Sequence, residues 1–95
     1  HWTIEGAETS QFAQHLRAVL GLPLGSTRAR GHVAMINILG TIPAIEQLLA
    51  LPGTHVHLYR KAPRAGRKLG HVTVRADSVD EREAAVEAVL KILEP

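Results

Sequence analysis

The sequence has no cysteine, which excludes disulfides and thiolate metal sites and is compatible with a reducing compartment. Aromatic residues are scarce: one Trp, one Tyr and one Phe, 3% of 95 residues. A binder of single-stranded nucleic acid needs stacking platforms interleaved with positive charge, so that class finds little support here. Long apolar runs are missing as well. The longest, Val33 to Ile45, is interrupted by Asn37, Gly40 and Pro43 and falls short of the ~20 apolar residues of a membrane span. There is no G-x-S-x-G elbow, no P-loop and no Ser-His-Asp order, so the chain by itself is expected to be a poor enzyme. The opening HWTIEGAETS carries no methionine, charged leader region or tag. It reads as the interior of a protein, and the chain is expected to be a fragment.

What is present is a set of short periodic segments, enough for one modest core. Thr9 or Ser10 is placed to cap a helix in which Phe12, Leu16, Val19 and Leu20 recur at helical spacing, and Gly21 with Pro23 ends it. Residues 22–31 are polar and irregular, the best boundary between two structural units. Residues 32–40, HVAMINILG, are apolar on both alternating faces, as expected of a strand covered on both sides. Thr41 and Pro43 open a short helix with Ile45, Leu48 and Leu49, closed by the LPG at 51–53. Two alternating strands follow. The first puts His55, His57 and Tyr59 on one face; the second, residues 71–76, points Val72 and Val74 the same way as each other. A final helix starts at the Ser78/Glu81 capping box and carries a stripe of Val86, Val89, Leu90 and Leu93. The fold class is small α+β, with the first helix set apart.

Charge is the most informative feature. Five cations (Arg60, Lys61, Arg64, Arg67 and Lys68) fall within nine residues of a chain whose formal charge is only +2. Elsewhere six basic residues face nine acidic ones, so the positive excess is local. Pro63 and Gly66 interrupt the run, which excludes a regular basic helix. Several guanidinium and ammonium groups converging on one phosphate bind it far better than one alone; the competing reading is a solvated hairpin tip. His55, His57 and His71 share a strand face and are a zinc-type donor set. With no cysteine or carboxylate in the stretch, an exposed strand face explains them equally well, and no metal site is assigned. Glu5 and Glu8 are most simply favourable charges ahead of a helix.

Three ordered stretches carry a resemblance: HWTIEGAETSQFAQHLRAVLGLPLG at the front, AMINILG in the middle and YRKAPRAGRKLGHVTV near the end. Together they resemble the C-terminal end of the 5-(carboxyamino)imidazole ribonucleotide synthase family, ATP-grasp ligases of purine biosynthesis. The resemblance runs from His1 to Val74; only the last helix is generic. It implies that the parent protein uses ATP and magnesium to join bicarbonate to aminoimidazole ribonucleotide, as a cytoplasmic homodimer, with no nucleic acid or membrane as partner. It also implies a division into residues 1–27, the end of the ATP-grasp domain, and residues 28–95, a small C-terminal barrel-sandwich-like domain.

The family pattern is similar to YGK, two variable residues, then RPGRKMGH. On this match Lys61, Arg67 and Lys68 are implied to face the 5′-phosphate of the ribonucleotide, and His1 to stand beside the active site as the last residue of an NSGH stretch. The nucleotide-binding lysines and magnesium carboxylates would lie upstream, so the fragment alone is expected to bind no cofactor or metal and to be inactive. Two departures bear on the loop: Arg60 stands at the family's Gly and Ala65 at its Pro. The alternatives left open are a free-standing anion- or nucleic-acid-binding module and a structural or dimerisation domain. As the stump of a larger unit, residues 1–27 are expected to be held less well than the rest.

Overall fold

The computed structural model describes residues 1–93; the last two residues of the expected 28–95 unit lie outside the described residues. Its elements run α1 (Thr3–Gly6), α2 (Gln11–Val19), β1 (His32–Leu39), α3 (Ile45–Leu49), β2 (Thr54–Leu58), β3 (Lys68–Ala76) and α4 (Val79–Leu93). The three strands form one antiparallel sheet in the order β1-β3-β2.

Residues 69–74 of β3 are buried, while Asn37 and Leu39 of β1 are exposed. The strand covered on both faces is therefore β3, not the apolar segment 32–40. The central position decides this: β3 has a neighbour on each side, and β1 has one. β3 also begins at Lys68, three residues earlier than the alternation of 71–76 indicates, because Lys68 pairs with Leu39 across a register shift. The register aligns Ile36, Val72 and Val56 in one row and Asn37, His71 and His57 in the adjacent row. Because side chains alternate, these rows face opposite ways. The sheet thus has an apolar face and a polar one.

The apolar face builds the core: Ile38, Leu48, Leu69, Val72, Val74 and Val89 are buried together, with Ala85, Val86, Ile92 and Leu93 packed against them. The stripe of α4 is thus rotated from the expected one. Ile92 takes the place assigned to Leu90, which stays 41% exposed. Both lie within one helical turn of Val89, and the sheet contact selects between them. The cap forms as the sequence indicates, with Glu81 N–H donating to Ser78 Oγ at 3.2 Å. The reciprocal bond is shifted: Glu81 Oε2 accepts from Asp77 N–H at 3.3 Å, one residue earlier than in a standard capping box.

α1 packs against β3 on the polar face, and the segment after it is tied back to α1 and the sheet. Arg30 N–H donates to the Gly6 carbonyl and Glu8 N–H to the Arg28 carbonyl, around an Ala7–Ala29 bridge. Arg75 Nε ties Arg30 to β3 at 2.7 Å. The opening heptapeptide, HWTIEGA, supplies α1. Gly6 lets α1 approach the sheet: a Cβ there would run into the Trp2 ring and Val33. Ser10 rather than Thr9 caps α2, accepting from Ala13 N–H at 3.1 Å. The α2 stripe remains open, with Phe12, Leu16, Val19 and Leu20 all exposed. Gln14 clamps Gly25 through both its amide N and O, which fixes the irregular stretch to the helix.

Candidate anion-binding site

The basic loop hangs between the ends of β2 and β3. Tyr59 N–H donates to the Leu69 carbonyl at 2.9 Å, the last rung before the strands separate, and Gly40 N–H donates to the Arg67 carbonyl at 2.8 Å. Within the loop, Arg67 N–H closes a turn onto the Arg64 carbonyl at 3.0 Å, with Gly66 at φ +75°. Arg60 has φ +58°, a left-handed conformation that disfavours any residue with a Cβ by roughly 1–2 kcal/mol. That is the position at which the resembling family carries Gly.

Tyr59 gathers the cations. Lys61 Nζ lies 5.6 Å and Lys68 Nζ 5.9 Å from its ring centroid, within reach of the negative face of the π-system. The Tyr59 hydroxyl lies 2.6 Å from His71 Nδ1 and 3.1 Å from His1 Nδ1. A phenol has one proton, so it donates to one ring and accepts from the other. Arg67 behaves differently: its Nη1 donates to the Ala62 carbonyl at 3.3 Å, inside the loop. Of the implied contact residues, Lys61, Lys68 and His1 are brought together around Tyr59, and Arg67 is turned onto the loop backbone.

Beneath Tyr59 three imidazoles stack. His71 is buried between His1, at 4.8 Å and 15°, and His57, at 4.6 Å and 21°. Glu5 Oε1 meets His57 Nε2 at 2.6 Å and ends the row. Burial, reinforced by the charges of His57 and Lys68, pushes the His71 pKa down, and Glu5 opposes them. Burial also pushes the Tyr59 pKa up. Both groups are held in their neutral forms, which suits an O–H···N hydrogen bond.

His55 is exposed and pairs with Thr73, so the third imidazole at this place is His1. Stacked rings present faces to one another rather than lone pairs to a common point, and the described residues contain no group of three or more side chains that could hold a metal ion. Sequence reasoning missed Glu5, treated as a helix charge, and the hub role of Tyr59. Glu8 is engaged elsewhere, accepting from the Ser26 hydroxyl at 2.5 Å. Two clefts, of about 340 Å³ beside Trp2, Val33 and Arg82 and about 450 Å³ beside Gly53, Arg75 and Asp77, lie away from the loop. The loop residues 60–66 are exposed.

The three-stranded α+β scaffold with its basic loop and histidine row defines a domain of a recognisable kind. Residues 33–85 match the family described as the phosphoribosylaminoimidazole carboxylase C-terminal domain, and the chain belongs to that family. It is 53% identical over 94 residues to the N5-carboxyaminoimidazole ribonucleotide synthase of Pseudomonas aeruginosa, a match covering 96% of this chain and 26% of that protein. Among solved structures, the N5-carboxyaminoimidazole ribonucleotide synthetase from Thermus thermophilus superposes with a TM-score of 0.95 at 52% identity, over 100% of this chain and 26% of the other. The N5-carboxyaminoimidazole synthase from Aspergillus clavatus, in complex with ADP and 5-aminoimidazole ribonucleotide, gives 0.89 at 38% identity, over 100% and 28%. The chain spans about a quarter of the length of these relatives.

Proposed function

We propose that this chain works as the C-terminal quarter of an ATP-dependent ligase that carboxylates aminoimidazole ribonucleotide with bicarbonate in purine biosynthesis, and that its basic loop grips the substrate 5′-phosphate. Residues 1–27 then complete an ATP-grasp domain, and residues 28–95 form a small C-terminal unit of barrel-sandwich-like type in a cytoplasmic homodimer. The observation that carries the site assignment is the convergence of Lys61, Lys68 and His1 on Tyr59. A phosphate dianion between the two ammonium groups would meet compact charges that need no partner of their own. Arg67 commits only one N–H to the Ala62 carbonyl, and the rest of its fork remains available for a bidentate contact.

ATP and magnesium do not fit this chain. No glycine-rich loop opens a helix among the described residues, and Glu5 and Glu8 already serve His57 and Ser26. The remainder of the ligase would hold them, and the isolated chain would turn nothing over. The test is alanine replacement of Lys61, Arg67 and Lys68 one at a time in the full-length ligase. A charge-assisted hydrogen bond is worth about 1.5–3 kcal/mol, so the KM for the ribonucleotide should rise about tenfold or more, with the KM for ATP unmoved. A parallel rise in both would show that the loop is structural.

A further inference from the structure

We propose that Tyr59 is a positioning residue of the phosphate grip, its hydroxyl seated by His71 and His1 so that its ring sets where the ammonium groups of Lys61 and Lys68 stand. The inference rests on the reading of the loop as a phosphate site and deepens it. Lysine is a poor positional element: its charge rides on a flexible four-carbon stem. Both lysines here have one shared reference, the Tyr59 ring, at 5.6 and 5.9 Å.

That ring is itself fixed at both ends. Its backbone N–H is bonded to Leu69 at the last rung of the sheet, and its hydroxyl reaches the buried His71 at 2.6 Å. His71 cannot tilt freely, because the His1 and His57 rings stack on its two faces and Glu5 holds His57. A row from α1 through three imidazoles therefore ends at the surface on which the two phosphate-directed charges rest. Arg67 lies outside the row; its contact is the Ala62 carbonyl. The grip then has two independently held parts, the lysine pair on Tyr59 and the guanidinium on the loop backbone.

The distinction is measurable as a coupling. In the full-length ligase, Tyr59→Phe keeps the ring and removes only the hydroxyl. It should raise the ribonucleotide KM about three- to tenfold, as expected for loosening the ring on which two ammonium groups rest, while leaving the KM for ATP in place. Combined with Lys61→Ala or Lys68→Ala, its effect should shrink, since the positioned group is gone; combined with Arg67→Ala, the two effects should multiply. The ¹⁵N shifts of the His71 ring should move in Tyr59→Phe, reporting loss of the phenol partner. Full multiplicativity with all three cations, or a Tyr59→Phe enzyme with wild-type KM, overturns the positioning role. If Lys61→Ala and Lys68→Ala alone leave the ribonucleotide KM unchanged, the phosphate-grip reading is what fails, and the proposal falls with it. Tyr59→Leu, which removes the ring, should weaken binding at least as much as Tyr59→Phe; a smaller effect would also refute the proposal.

Discussion

Residues Arg64, Ala65, Gly66 and Arg67 make a closed turn, with Arg67 N–H donating to the Arg64 carbonyl at 3.0 Å. Gly66, the third residue, has φ +75°, and Ala65, the second, is not among the residues of positive φ. A negative φ followed by a positive one is the signature of a type II turn, whose second position favours proline. Ala65 N–H donates to no backbone acceptor among the described residues, and its side chain is exposed. Proline there removes no hydrogen bond among the described residues, and the second position of a type II turn has the φ near −60° that proline requires. Ala65→Pro should stabilise the protein by about 0.4–1 kcal/mol, acting through the unfolded chain, which loses conformations it no longer has to give up on folding.

For a domain of this size that corresponds to a rise in Tm of about 2–8 °C. Urea titration of wild type and variant should show a higher midpoint at unchanged slope, since the surface exposed on unfolding is the same. Hydrogen exchange at Arg67 N–H should slow, because the turn it closes opens less often. A lower midpoint would refute the argument, since it would mean that Ala65 does not hold the backbone of a type II second position. An unchanged midpoint with faster exchange at Arg67 would refute it too.

Two further expectations follow from the core and from the histidine row. Val89 is fully buried and Leu90 is 41% exposed, so Val89→Ala should destabilise by about 1.5–3 kcal/mol and Leu90→Ala by clearly less; equal losses in a denaturant series would refute the rotated α4 stripe. The His71 pKa is lowered by burial and by its positive neighbours, against the opposing charge of Glu5. Below the ordinary histidine value near 6.5 the unfolded state thus binds more protons than the folded one. Stability should be full above about pH 6.5 and fall as the pH drops through the window between that value and the lowered folded one; a His71→Gln variant with the same pH slope would rule this out.

The fold was legible where a local rule and the tertiary contact ask for the same residue. Ser78 caps α4 whatever packs on it, and Gly21, at φ +70° just after the α2 cap, ends that helix without reference to the sheet. The errors fall where the decision is made by a neighbour. Whether 32–40 or 68–76 is the central strand depends on strand order, which no local window contains: both segments are apolar enough for either role. The α4 stripe is the same problem in rotation. A helix bearing Val86, Val89, Leu90, Ile92 and Leu93 offers two overlapping apolar faces, and only the sheet selects one.

The candidate site was legible in its charges and illegible in its support. Clustered cations reveal themselves in sequence because their repulsion has to be answered by something, and the run from Arg60 to Lys68 sits in nine consecutive residues. The residues beneath it are spread across the chain: Glu5 meets His57 from fifty-two positions away, and His1 meets Tyr59 from fifty-eight. Each alone has an adequate local explanation, Glu5 as a charge ahead of a helix and His57 as one of two histidines on a strand face. Only the packing of α1 on the polar face turns them into a row. Non-local pairing also explains why Arg67 and the two lysines, indistinguishable as members of one basic run, separate in three dimensions. Tyr59 leaves the sheet pointing at the lysines, and Arg67, on the far side of the Arg64–Arg67 turn, finds the backbone of its own loop first.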